Sequence, residues 1–301
     1  MSDVQAAPGE AIPDVASTTW TRRRLLKYAA GAMTAGCVGT VVYATRIEPH
    51  WVELVRRDLP IDGLPPAMEG KTLLQLSDLH IGPVVDDSYL ISSLQRAAAL
   101  EPDIVVQTGD LVHSPIVEWK QVDKVLEHFP KGRLATLSVL GNHDYGRAWS
   151  NTRAGEATAG AMRGAGITVL RYASHDVGGL RITGLEEMLG PHWRDFRSAG
   201  VIHSDRPHLI LCHNPDACDL DIWTDYRGWI LAGHTHGGQV SLPFVGPPML
   251  PVVNKRYTSG EFDVGGGRQL YINRALGYLR RIRLNVRPEI TLFTLRSARP
   301  A

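Results

Sequence analysis

A chain of 301 residues, 44% apolar and 21% charged, is long enough to bury a sizeable core and is ordinary for a globular protein. Its 32 basic and 31 acidic side chains leave a formal net charge of +1, so no global field points to nucleic acid or to an acidic partner. Aromatic residues are sparse, without the basic–aromatic interleaving that stacks bases, and three cysteines (Cys37, Cys212, Cys218) do not make a disulfide framework.

Residues 1–20 are polar and small. Thr21-Arg22-Arg23-Arg24-Leu25-Leu26-Lys27 then precedes an uncharged stretch, residues 28–44. A basic region, an apolar region and a small-residue exit describe a signal segment. The paired arginines followed by two leucines and a lysine resemble the twin-arginine signal. Weak hydrophobicity suits that route better than the Sec route, and the stretch is short and holds Gly31, Gly36 and Gly39 where a transmembrane helix wants about 20 strongly apolar residues. A retained N-terminal membrane anchor is the alternative. Val42-Tyr43-Ala44 offers a cleavage site, which would start the mature chain at Thr45. Cys37 follows Thr34-Ala35-Gly36, where a lipidation box wants an aliphatic residue, so lipidation is discounted. The expected location is outside the cytoplasmic membrane, in the periplasm, cell wall or membrane-associated, with the twin-arginine export machinery as a partner.

Residues 45–70 read as a connector, broken by Glu48-Pro49 and Leu64-Pro65-Pro66, although Val52, Leu54 and Leu59 could form an edge strand. One domain, residues 71–301, follows. Thr72–Leu76 is a buried strand; 86–100 is a helix with Leu90, Ile91, Leu94 and Ala98 on one face and Pro102 beyond its end. Strands are expected at 104–106, 134–140, 167–170, 180–184, 208–212 and 229–231, with helices at 117–129 and around 155–164. From Gln239 onward the pattern is β-rich, at 239–242, 269–272 and 289–295. Early α/β alternation with later strands predicts mixed sheets between helices.

Five polar motifs each follow an apolar run: Asp78-Leu79-His80, Gly109-Asp110, Gly141-Asn142-His143-Asp144, His213, and Gly233-His234-Thr235-His236. Open α/β sheets place their sites at the carboxyl ends of strands. Two carboxylates, an amide and several histidines there form a ligand set for two adjacent divalent ions such as Mn, Fe or Zn, with Mn favoured, and leave one histidine for proton transfer. Among nearby histidines, His203 and His208 rival His213, but only His213 ends an apolar run directly before Asn214-Pro215. His113 is either a supporting group or a solvated loop residue.

With DxH, GD, GNHD, H and GHxH in this order over roughly residues 72–240, the chain resembles the calcineurin-like dimetal metallophosphoesterases. The arginine-rich start narrows the likeness to an exported bacterial branch of phosphodiesterase-like members. The resemblance implies a four-layer αββα sandwich of two mixed β-sheets flanked by helices. It also implies one metal on Asp78, His80, Asp110 and His236, and a second on Asp110, Asn142, His213 and His234. His143 would contact the phosphate and assist the leaving group, oriented by Asp144. The expected activity is hydrolysis of a phosphodiester or pyrophosphate by a metal-activated water. A phosphomonoesterase and a non-catalytic metal-binding scaffold are the alternatives.

Two further features carry open readings. Arg280, Arg281, Arg283 and Arg287 form a basic cluster, either a solvated face or a contact for an anionic envelope polymer or lipid headgroup. The apolar, proline-rich stretch 242–250 either caps the core, holds the non-phosphate part of a substrate, or touches a membrane surface.

Overall fold

Helix α1 (Arg22–Val42) buries none of its residues and is long and apolar enough to cross a membrane, a test that a signal sequence also passes. All but its last residue falls in the first of two units, which ends at Val41, and residues 42–301 make up the second. In this computed structural model, residues 21–113, 118–195, 202 and 207–298 are described.

The apolar runs of the second unit become two six-stranded sheets. The first is built from β1 (Glu53–Ile61), β2 (Thr72–Leu76), β3 (Ile104–Thr108), β4 (Ala135–Val139), β5 (Thr168–Val169) and the last strand of the chain. The second comprises β6 (Ala173–Val177), β7 (Leu180–Gly184), β8 (His208–Leu211), β9 (Gly228–Ala232), β10 (Gly260–Gly265) and β11 (Arg268–Ile272). With β12 (Glu289–Ser297), the first sheet runs β1-β12-β2-β3-β4-β5 and the second β10-β11-β9-β8-β7-β6. Both are mixed: β12 is antiparallel to β2 but parallel to β1, and β10 and β6 are antiparallel edges of an otherwise parallel sheet.

Side-chain alternation sorts the core into layers. Leu74, Leu76 and Val105 pack against helices, together with Leu90 and Leu94 of α2 (Asp87–Ala98), Val122 and Val125 of α3 (Trp119–Leu126), and Met162 of α4 (Thr152–Gly164). Asp86 caps α2 by accepting from the Ser88 amide at 3.0 Å, and Asn151 caps α4 in the same way. Leu73, Ile104 and Val106 face the other sheet and meet Ile182, Leu209 and Leu231. On the far side of the second sheet, Ile210, Ile230 and Leu270 are covered by the 3-10 turn Pro215–Asp219 with Ile222, Trp223 and Tyr226. Two mixed six-stranded sheets packed face to face with flanking helical segments make the α/β sandwich that the resemblance implies.

Residues 45–70 do more than connect. Strand β1 pairs parallel with β12 along its whole length, from Glu53–Glu289 to Ile61–Ser297, and Glu48 is fully buried, accepting from the Val286 amide at 2.6 Å. Gln239 to Leu242 is not a strand. Gln239 sits at φ 58°, and its side chain binds the 279–282 loop, leaving only isolated bridges at Val240 and Leu242.

The four arginines do not share one face. Arg283 is fully buried and donates to the carbonyls of Arg274, Ala275, Gly277 and Val286, tying turns together, while Arg287 stacks on Trp51 at 4.3 Å. Only Arg280 and Arg281 stand exposed.

Candidate dimetal centre

Strands β2, β3 and β4 of the first sheet and β8 and β9 of the second all end at one line where the two sheets face each other. The backbone ladder continues past those ends: the Asp78 amide donates to Gly109 O at 3.0 Å, the His80 amide to Asp110 O at 3.1 Å, and the Gly233 amide to His213 O at 3.1 Å. The chain then turns abruptly. Asp78, His80, Asp110, His234 and His236 all take left-handed backbone conformations, with φ between 50° and 70°. Each costs on the order of 1–3 kcal/mol, a concentration of strain typical of a functional site. The turns aim alternate side chains into one cleft.

The motif glycines are steric necessities. A Cβ on Gly109 would overlap the His213 ring and the Gly141 backbone, and one on Gly233 would overlap Ser77 Oγ and the Asp78 carboxylate.

The cleft gathers three groups whose ligand atoms lie within 4.8 Å of one another: Asp78, His80 and His236; Asp110, His213 and His234; and His80, His113 and His143. In the first, His236 Nε2 lies 3.3 Å from Asp78 Oδ1 and 3.0 Å from His80 Nε2. In the second, His213 Nε2 lies 3.2 Å from Asp110 Oδ2 and 3.1 Å from both Asn142 Oδ1 and His234 Nδ1. Asp110 Oδ2 is also 3.6 Å from His80 Nε2, so this carboxylate stands between the two groups. Both are buried.

Backbone carbonyls set two of the tautomers. His213 Nδ1 donates to Thr108 O at 2.8 Å and His234 Nε2 to Pro251 O at 2.9 Å. The remaining nitrogens, His213 Nε2 and His234 Nδ1, therefore point lone pairs at each other unless a proton or a cation lies between them. Carbonyl-oriented imidazoles of this kind are how proteins present histidine to a metal. Nδ1 of His80, His113, His143 and His236 is buried without a partner among the described residues. The residues fit a pair of divalent ions.

The charges of the cluster are coupled. Burial opposes charge on His213, but Asp110 and Asp78 hold its pKa well above the usual value. Burial and the neighbouring His213 push His234 down to about 4, and burial holds His80 well below the ordinary range. Against burial, His213 and His143 keep Asp110 strongly acidic. Burial, then the charge of Asp110, pushes Asp144 up to about 7.

His143 is half-buried at the mouth, its ring 4.8 Å from that of His80, and its amide donates to Asp110 Oδ1 at 2.8 Å. Asp144 differs from the expectation that it orients His143. Its carboxylate accepts from the amides of Gly141 (2.8 Å), Asp110 (3.0 Å) and Val112 (3.1 Å), and no hydrogen bond joins it to the His143 side chain among the described residues. The left-handed turn at Asp110 exposes those amides to it, so Asp144 acts on the loop that carries Asp110. His113 is no solvated loop residue: its ring packs 5.5 Å from His80 and 5.6 Å from His143. His208 lies in the core on Thr183 at 2.6 Å, and His203 falls outside the described residues. Cys212 and Cys218 are buried free thiols.

One contributor went unread. Glu187, just beyond β7, is buried with its pKa pushed up to about 7 by burial, and it couples to His213, Asp110 and Asp78. Its only signal was two adjacent acidic residues after an apolar run.

Two mixed sheets whose facing ends gather carboxylates and imidazoles define a metal-dependent phosphoesterase, a hydrolase of phosphoric esters. The chain belongs to the calcineurin-like phosphoesterase family, whose description matches residues 71–238. It is 34% identical to the uncharacterized metallophosphoesterase YkuE of Bacillus subtilis, over 92% of this chain and 98% of the relative. It is 31% identical to the phosphodiesterase YaeI of Escherichia coli K12, over 91% and 99%. The UDP-2,3-diacylglucosamine pyrophosphatase LpxG of Chlamydia muridarum is 26% identical over 87% and 94%.

Proposed function

We propose that the chain is a metal-dependent hydrolase of phosphodiester or pyrophosphate bonds, acting outside the cytoplasmic membrane. The observation that carries this reading is the meeting of two histidine–carboxylate groups on Asp110, 3.6 Å from His80 Nε2 and 3.2 Å from His213 Nε2. In this reading Asp78, His80, Asp110 and His236 hold one ion, and Asp110, Asn142, His213 and His234 hold the other. Two bound divalent ions, with manganese favoured by the nitrogen–oxygen donor set, supply charge neutralisation at the phosphoryl oxygens and an acidified water for in-line attack. His143, at the mouth of the cleft, contacts the phosphoryl group and delivers the proton that the leaving alkoxide needs. Asp144 holds the Asp110 turn rigid through three amides, which keeps the shared carboxylate in place.

Support for a diester or pyrophosphate comes from relatives named phosphodiesterase and pyrophosphatase. Support for export comes from the paired arginines that open the exposed apolar helix α1. Replacing Arg22 and Arg23 with lysine is expected to leave the protein inside the cell, and unchanged export would remove the twin-arginine reading. For the chemistry, the metal-stripped chain is assayed on bis(p-nitrophenyl) phosphate and p-nitrophenyl phosphate with Mn, Fe(II) or Zn restored singly. Activity that returns with the metal and favours the diester is expected. Preference for the monoester would make the protein a phosphatase, and two bound ions without turnover of either ester would contradict the enzyme reading.

A further inference from the structure

Beside the metal cluster lies a groove of about 910 Å³, within the size range of pockets that enclose small ligands. His236, a proposed metal ligand, lines it directly, as do Thr235 and Gly238 of the same motif. Val245, Pro247 and Met249 form one wall, and Leu279 and Ile282 form the other. These side chains are not core. Val245 is 76% exposed and Met249 80%, while Leu279 and Ile282 keep more than a third of their surface. An apolar surface of this extent normally marks a binding site.

The groove is built rather than accidental. The Gln239 side chain accepts from the Leu279 amide and donates to Arg280 O and Ile282 O, each at 2.8 Å, which fixes the far wall. The near wall is tied by Pro251 O on His234 at 2.9 Å and by Lys255 Nζ on Leu250 O at 2.8 Å. The exposed guanidinium of Arg280 lines the groove and makes no hydrogen bond or ion pair among the described residues. An unpaired cation beside an apolar trough, opening onto a phosphoryl-binding centre, matches one kind of molecule: an anionic head on an apolar chain.

We infer that the groove holds the apolar chain of an amphiphilic phosphoester while its phosphoryl group lies at the dimetal centre and Arg280 faces the anionic head. The inference rests on the hydrolase reading above and names its substrate class. The groove is concave and shares His236 with the cleft, which suits a single chain placed beside the reacting phosphorus. A flat bilayer contact requires neither feature.

The test is a series of p-nitrophenyl alkyl phosphodiesters (ethyl, butyl, octyl, dodecyl) hydrolysed by the full manganese-loaded chain below the aggregation concentration of each ester. Full burial of a methylene corresponds to roughly fourfold in kcat/KM, so a rise of at least about tenfold from ethyl to octyl is expected. The double substitution Val245→Asn with Met249→Gln, at exposed positions, should cut the octyl-to-ethyl ratio about tenfold, which separates the groove from any binding by the apolar helix α1. A flat series with all esters turned over overturns the groove and leaves the hydrolase reading intact. If no ester is hydrolysed, that reading fails, and calorimetry with ethyl and octyl phosphate judges the groove alone: octyl binding at least about tenfold tighter supports it, and equal affinity overturns it. Binding to phosphatidylglycerol vesicles together with a flat series overturns it as well, and assigns the patch to a membrane surface.

Discussion

The two sheets bring unequal contributions to the cleft. From the first come Asp78, His80, Asp110, Asn142 and His143, which include every carboxylate and amide of the proposed ligand set. The second brings three imidazoles, His213, His234 and His236. Preparation differs between the two ligand groups rather than between the two sheets. His213 and His234 have their tautomers set by carbonyls, one of them Thr108 O of the opposite sheet, while His80 and His236 leave Nδ1 without a partner among the described residues. Neither sheet closes a site alone, and the group around His213 and His234 has the more fixed imidazoles.

The sharpest way to break this comparison is at the residue both halves share. Asp110→Asn keeps the acceptor for the His143 amide but removes the negative charge between the groups. It should strip both ions, read by metal analysis, and lower kcat by about 10³-fold or more. Retention of two tightly bound ions would separate the halves. His143→Ala removes no residue of the proposed ligand set. It should keep both ions yet lower kcat by roughly 10²-fold or more, since proton delivery is lost; loss of metal would place His143 among the ligands.

Asp144→Asn distinguishes support of Asp110 from orientation of His143. The amide keeps one acceptor oxygen for three backbone donors, so both thermal stability and metal affinity should fall, with kcat/KM reduced about 10–100-fold. A fall in kcat with metal affinity and melting temperature unchanged would restore the orienting role. The gentlest probe is Gly109→Ala, which presses a methyl group toward His213 from a left-handed position at φ 92°. Overpacking of about 1–3 kcal/mol should lower the melting temperature by roughly 2–10 °C in differential scanning calorimetry. An unchanged midpoint would mean that the two sheets are held less closely than the contact implies.

Much of the centre was legible in the sequence because each motif is short, local and attached to the end of a buried strand. Asp78 and His80 declare themselves by spacing, and the glycines before Asp110, Asn142 and His234 by position. What escaped depends on distant partners. Strand β1 was legible only as a possible edge strand within a connector, because it earns its place through β12, more than two hundred residues later, and its own alternation is weak. Arg283 reads as a surface cation until the turns that surround it are known. Asp144 was assigned to its neighbour in sequence, whereas its real partners are amides presented by a left-handed turn thirty-four residues away. Glu187 has no motif at all; only the fold places its charge beside His213.

The central claim is that two sheet ends jointly build a single two-ion centre around Asp110. Anomalous diffraction from crystals of the manganese-loaded protein tests it most directly. The account predicts two peaks, one on each side of the Asp110 carboxylate, the first against His80 and His236 and the second against His213 and His234. A single peak, or a peak among His80, His113 and His143 with none beside His213, would contradict it.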